Sequence, residues 1–163
     1  MSAWTIRAFQ AGDEAALQAV RAAAFAPVFA SFREIVGPEI AAKALTGAEA
    51  EQEALLRTLC AESADKLFVA EIDGAIVGFV SYALDVGEAG VSEIGLNAVH
   101  PDHGGKGLGT ALYDFVLGLM KKAGMRVATV GTGNDPSHAP ARRAYEKAGF
   151  GPRLPSVYMY RLL

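Results

Sequence analysis

Cysteine is almost missing from these 163 residues: Cys60 stands alone, so no disulfide can close within the chain. No Cys/His cluster has metal-ligand spacing either, which leaves neither crosslinks nor structural zinc to expect. Cys60, inside Leu55-Leu56-Arg57-Thr58-Leu59-Cys60, reads as a small buried hydrophobe. Long apolar runs are lacking too. No stretch approaches the roughly 20 apolar residues that span a bilayer, and the opening Met1–Phe9 has neither a basic n-region nor a following apolar h-region. The expectation is a cytoplasmic chain with no membrane partner. Basic runs are also missing: 15 Lys and Arg against 18 Asp and Glu leave a formal charge of -3. The broad positive field that attracts nucleic acid is therefore absent, and any anion must be held by a local device.

There is no internal repeat, low-complexity segment or linker, so residues 1–163 read as one domain. A chain of this length buries roughly 70% of the surface its unfolded form exposes, enough for a core without staples. Trp4–Phe9 is short, β-prone and partly alternating. Asp13 then stands as an N-cap before Ala15–Ala24, with Leu17, Val20 and Ala24 at helical spacing. From Phe25 to Ala64 the composition favours helix, but Pro27, Gly37, Pro38 and Gly47 divide it, which predicts two short helices, the better one over Ala48–Ala61.

Lys66–Ile72 and Ala75–Leu84 are β-rich runs joined by Asp73-Gly74, a dipeptide suited to the positive φ angles of a two-residue hairpin. Val91–Val99 is a third such run. Thr110–Ala123 carries one apolar stripe, Leu112, Phe115, Val116, Leu119 and Met120, and Gly124 ends it. Met125–Val130 reads as a strand, Ser137–Ala148 as a helix closed by Gly149, and Val157–Leu162 as a last strand. A hairpin followed by strand-helix crossovers implies an α/β (α+β) fold: a mixed, mainly antiparallel central sheet of six to seven strands flanked by helices.

Between the strand ending at Val99 and the helix near Thr110 lies a loop containing Gly104, Gly105, Gly107 and Gly109. It ends where a helix offers unpaired N–H groups, a ready site for an anion because glycine lets the backbone come close and the dipole adds positive potential. Lys106 adds an exposed charge. A tight strand-to-helix turn is the plainer reading of the same glycines. A Walker loop begun at Gly104 needs lysine after Gly109 and finds Thr110, and a Rossmann fingerprint begun at Gly105 also meets Thr110 where glycine or alanine belongs.

The loop, with its lead-in Val99-His100-Pro101 and closing Gly107-Leu108-Gly109, resembles the cofactor signature of the GNAT superfamily of acyl-CoA-dependent N-acetyltransferases, with Gly104 in place of its Gln/Arg. Ala141-Arg142-Arg143-Ala144-Tyr145-Glu146-Lys147-Ala148-Gly149-Phe150 is similar to the family's tyrosine-bearing helix, and His138 stands where its asparagine stands. The resemblance implies that Asn97, Ala98, Val99, Gly104, Gly105, Lys106, Gly107, Leu108, Gly109, Thr110, His138 and Ala141 hold acetyl-CoA, with no metal. It implies a small-molecule or peptide amine acceptor, bound among Phe25–Ala64 and Pro152–Leu163, and leaves a homodimer open. Phe25, Phe29, Phe32, Tyr158 and Tyr160 in those segments could line an apolar cleft, and core is the plainer reading.

Acyl transfer needs a neutral amine, yet an alkylamine of pKa ~10.4 is only about one part in a thousand or less neutral at pH 7. The resemblance places a general base at Glu93 and a general acid, which protonates the departing thiolate, at Tyr145. Period-two alternation sets Glu93, Gly95, Asn97 and Val99 on one face unless a bulge intervenes, and the resemblance, whose members carry a bulge there, implies that a backbone N–H among Asn97–Val99 meets the oxyanion. Three functions follow: an N-acetyltransferase, a non-catalytic acyl-CoA-binding or sensor module, and an interaction domain whose glycine loop holds nothing.

Overall fold

The computed structural model describes residues 4–163, so Met1–Ala3, the start of the segment read as lacking a leader, lies outside the described residues. One sheet takes the strands in sequence order: β1 (Thr5–Ala8), β2 (Leu67–Ile72), β3 (Ala75–Ala83), β4 (Val91–Val99) and β5 (Val127–Val130). The first four pair antiparallel, and β5 lies parallel to β4. The β2–β3 turn uses Asp73 at φ 51° and Gly74 at φ 80°, the positive pair that a two-residue hairpin demands.

The sheet is mixed and mainly antiparallel as expected, but it has five strands, not six to seven. The strand expected at Val157–Leu162 does not form, and Val157, Tyr158 and Met159 are 82%, 90% and 90% exposed. Apolar, β-prone composition makes a strand only where a neighbouring edge takes its hydrogen bonds. Pro152 and Pro155 just before it donate none, and the outer edge of β5 stays open among the described residues. Tyr158 and Tyr160, read as core, are accordingly exposed.

Five helices cover the sheet: α1 (Glu14–Val36), α2 (Pro38–Ala44), α3 (Ala48–Glu62), α4 (Leu108–Lys122) and α5 (Ala139–Lys147). α1 runs straight through Pro27, where a break was expected. Proline removes one N–H and crowds one carbonyl. Val28 and Phe29, just beyond it, are buried, and their packing carries the helix on. α1 also corrects the expectation about apolar length: Ala11–Val36 is long and apolar enough, by length and composition alone, to cross a membrane. Here Leu17 and Val20 pack on the sheet, and the buried Arg21 bonds Gln18 and Gln52. Asp13 precedes α1 without capping it; its carboxylate accepts from Gln10 N and from Arg7, which also reaches Glu71.

Two cores lie on opposite faces. Leu17, Val20, Leu56, Cys60, Leu67, Phe79 and Ala98 join α1 and α3 to one face, so Cys60 is buried as expected. Val80, Ile94, Leu112, Val116, Met120 and Tyr145 join α4 and α5 to the other.

Candidate functional site

β4 and β5 pair only as far as Ile94 and Val130, yet β4 continues to Val99. The strands part there, and a cleft of about 1030 Å³ opens between them, lined by Gly95–Val99 on one side and Gly131 and Thr132 on the other. β4 is bulged beside this gap: Val80 faces Asn97 but Tyr82 faces Ile94, two steps along β3 against three along β4. The buried Ser81 hydroxyl donates to the Leu96 carbonyl at 2.9 Å and so satisfies an acceptor that the bulge takes out of the ladder.

The bulge reverses part of the alternation. Ile94 packs toward α4 and Asn97 reaches the tyrosines of α4 and α5, whereas Leu96 and Ala98 pack toward α1 and α3. Glu93, adjacent to Ile94, therefore points to the α1/α3 side, opposite Asn97, and is exposed at the cleft wall. Beyond the bulge, His100 N donates to Val77 O at 2.8 Å, which fixes which main-chain groups face β3. By antiparallel alternation Ala98 also bonds β3, while the N–H and C=O groups of Asn97 and Val99 face the open edge. Of Asn97, Ala98 and Val99, only Asn97 and Val99 direct main-chain groups to the open edge.

The glycine loop opens the other arm. Gly104 N bonds Pro101 O, Gly105 and Gly107 take φ of 72° and 88°, and Gly107 caps α4 in the left-handed region. Only glycine holds that conformation without strain. The first N–H engaged in α4 is that of Ala111, to Gly107 O, and no side chain caps this end. The N–H groups of Leu108, Gly109 and Thr110 are thus free at the cleft, with the helix dipole behind them. Lys106 turns back to donate to Asp102 O at 3.0 Å and is outside the cleft lining; the other expected loop residues are within it.

Tyr145 lines the same cleft, 6% exposed, and its ring stacks on Tyr113 with centroids 4.6 Å apart. Asn97 joins them: the Tyr113 hydroxyl donates to Asn97 Oδ1 at 2.8 Å, and Asn97 Nδ2 donates to the Tyr145 oxygen at 3.0 Å. That oxygen accepts, and the Tyr145 hydroxyl's own proton reaches Asn97 Oδ1 only at 3.5 Å, at the outer limit of a hydrogen bond. Burial and the neighbouring Tyr145 push the Tyr113 hydroxyl far above the usual range, so Tyr113 stays a donor. Tyr113 was missed in the sequence, although its spacing from Val116 and Met120 marks it for this face.

His138 also lines the cleft, but its Nδ1 is engaged with Asp135 Oδ1 at 2.5 Å and its ring stacks on Phe32. Burial pushes the Asp135 carboxyl up, while hydrogen bonds from Ser137 and His138 outweigh that and hold it below its ordinary range. Ala141 lines the wall beside Tyr145. Among the described residues the cleft thus joins an uncapped helix start, a tyrosine hydroxyl and one carboxylate.

A family model described as the Acetyltransferase (GNAT) family matches residues 32–150. Over 90 residues, 53% of the chain, the sequence is 33% identical to an uncharacterized N-acetyltransferase of Methanocaldococcus jannaschii, and it spans 39% of that protein's length. A GNAT-family structure from Desulfovibrio desulfuricans superposes with TM-score 0.69 at 22% identity, covering 93% of this chain and 87% of the other. A GNAT-family acetyltransferase from Brucella melitensis, solved with acetyl-CoA, superposes with TM-score 0.59 at 23% identity, covering 95% and 93%. Both structural likenesses fix the fold.

Proposed function

The chain belongs to the GNAT acetyltransferase family, and from that premise we propose that it moves an acetyl group from acetyl-CoA to a primary amine by direct attack in the cleft between β4 and β5. The observation that carries this reading is the uncapped start of α4 opening into the same cleft as the Tyr145 hydroxyl. Free N–H groups of Leu108, Gly109 and Thr110 suit a pyrophosphate, whose charge the net-acidic surface would not otherwise attract. The open-edge groups of Asn97 and Val99 suit the amides of a pantetheine chain and the oxyanion that develops on the acetyl oxygen. Gly104, His138 and Ala141 line the remaining walls.

In the proposed step the amine nitrogen attacks the thioester carbon, the C–N bond forms and the C–S bond breaks. Glu93, directly or through water, takes the proton that the amine must lose, and Tyr145 gives its proton to the departing sulfur. Products are an N-acetylamine and the free thiol. The single cysteine, Cys60, is buried in the α1/α3 core and is not part of the cleft lining.

Binding of acetyl-CoA to the native state raises the melting temperature as ligand concentration exceeds Kd. A shift that grows with acetyl-CoA, together with thiol release on adding amine, supports this reading; no shift at saturating acetyl-CoA contradicts it.

A further inference from the structure

The cleft has two chemically different walls. The wall formed by the α4 start, Asn97 and Tyr145 is polar, and Arg143 and Lys147 of α5 add cations to the lining. The opposite wall comes from α1 and α3, and each residue these helices place on it is apolar: Ala24, Phe25, Pro27, Val28, Leu55 and Leu59. Part of that surface is left open to water, since Leu55 is 49% exposed and Pro27 is exposed. Phe25 is held by the row Phe25–Phe29–Phe32, with ring centroids 6.2 and 6.4 Å apart, so this wall is a formed surface.

Among the described residues Glu93 is the one carboxylate lining the cleft, and the β4 bulge sets it on this apolar side, opposite Asn97. A single ammonium therefore meets a matching charge, while a second one would be placed against hydrocarbon without a carboxylate, a costly loss of hydration. The same wall rewards an acceptor that covers its exposed hydrocarbon.

We infer that the acceptor is a monoamine on an apolar aryl or alkyl body, its nitrogen at Glu93 and its body against α1 and α3. This rests on the acetyl-transfer reading of the same cleft. Diamines, polyamines and polycationic sugars are poor acceptors for the same reason.

Hexylamine and 1,6-diaminohexane differ by one ammonium on an otherwise equal chain, and 2-phenylethylamine and kanamycin widen the contrast. With acetyl-CoA saturating, free-thiol release should give hexylamine a kcat/KM about tenfold or more above that of 1,6-diaminohexane, with 2-phenylethylamine accepted and kanamycin not. Leu55→Glu, at a half-exposed helix position, should narrow the hexylamine-to-diamine ratio several-fold, with the acetyl-CoA melting shift as its folding control. Equal or better use of the diamine overturns the inference. So does an acetyl-CoA melting shift with neither apolar amine acetylated. No melting shift at all overturns the acetyl-transfer reading together with the inference, which tells the two failures apart.

Discussion

Asn97 holds the Tyr145 hydroxyl at the cleft, donating from Nδ2 to its oxygen over 3.0 Å, while the hydroxyl's own proton has only a 3.5 Å contact to Asn97 Oδ1. If that proton goes to the departing sulfur, Tyr145→Phe should lower kcat by about 10²-fold or more while leaving acetyl-CoA affinity near wild type. Stopped-flow thiol release and calorimetric titration check the two halves. Unchanged thiol release would remove Tyr145 from the proton path.

Asn97→Ala should act on stability as well as turnover. It leaves the buried Tyr113 hydroxyl without its acceptor, a loss of about 1–3 kcal/mol measured by urea unfolding. Tyr113→Phe removes both the donor and the need for an acceptor, and should cost less.

Glu93→Gln should lower turnover most at neutral pH, where the amine arrives protonated, and the deficit should shrink as pH rises toward the amine's own pKa of about 10. Rates measured from pH 6.5 to 10 with one amine test this. A constant deficit across that range would make Glu93 a binding residue, not a base.

Gly107→Ala tests the loop backbone separately from any side chain. No atom lies within 4 Å of the added Cβ, so the cost is conformational, about 1–2 kcal/mol for a non-glycine residue at φ 88°. Because the strain is relieved by shifting the first N–H groups of α4, CoA affinity should fall with stability in calorimetric titration.

Acid should weaken the β1–α1 corner. Hydrogen bonds from Arg7 hold the Asp13 carboxyl below its ordinary value, against the upward push of burial. A carboxyl depressed in the folded state stabilises fully above its unfolded pKa of about 4 and loses that contribution as pH falls through the folded value. Asp13→Asn should therefore reduce melting temperature at pH 7 and flatten its decline below pH 4, followed by circular dichroism.

Much of this cleft was legible because its elements are locally specified. The Asp73-Gly74 turn, β4 over Val91–Val99, the α4 stripe and the glycine stops at Gly124 and Gly149 all rest on near-neighbour patterns. What escaped depends on distant partners. Pro27 sits in an unbroken helix because Val28 and Phe29 are buried against other elements, and Val157–Leu162 stays out of the sheet although the outer edge of β5 is open. The bulge that separates Glu93 from Asn97 is visible only in the pairing with β3, where Ser81 supports it. Tyr113 was hidden among apolar helix residues, since its role comes from Asn97 and Tyr145, both distant in sequence.

The central claim is direct transfer, and the most direct measurement follows a ¹³C-labelled acetyl group from acetyl-CoA by mass spectrometry, with an apolar monoamine present and the intact protein recorded in the same samples. The account predicts labelled N-acetylamine and free CoA in equal amounts, with the protein mass unchanged throughout. Bound acetyl-CoA with no labelled amine, or a labelled protein that forms and decays ahead of product, would contradict it.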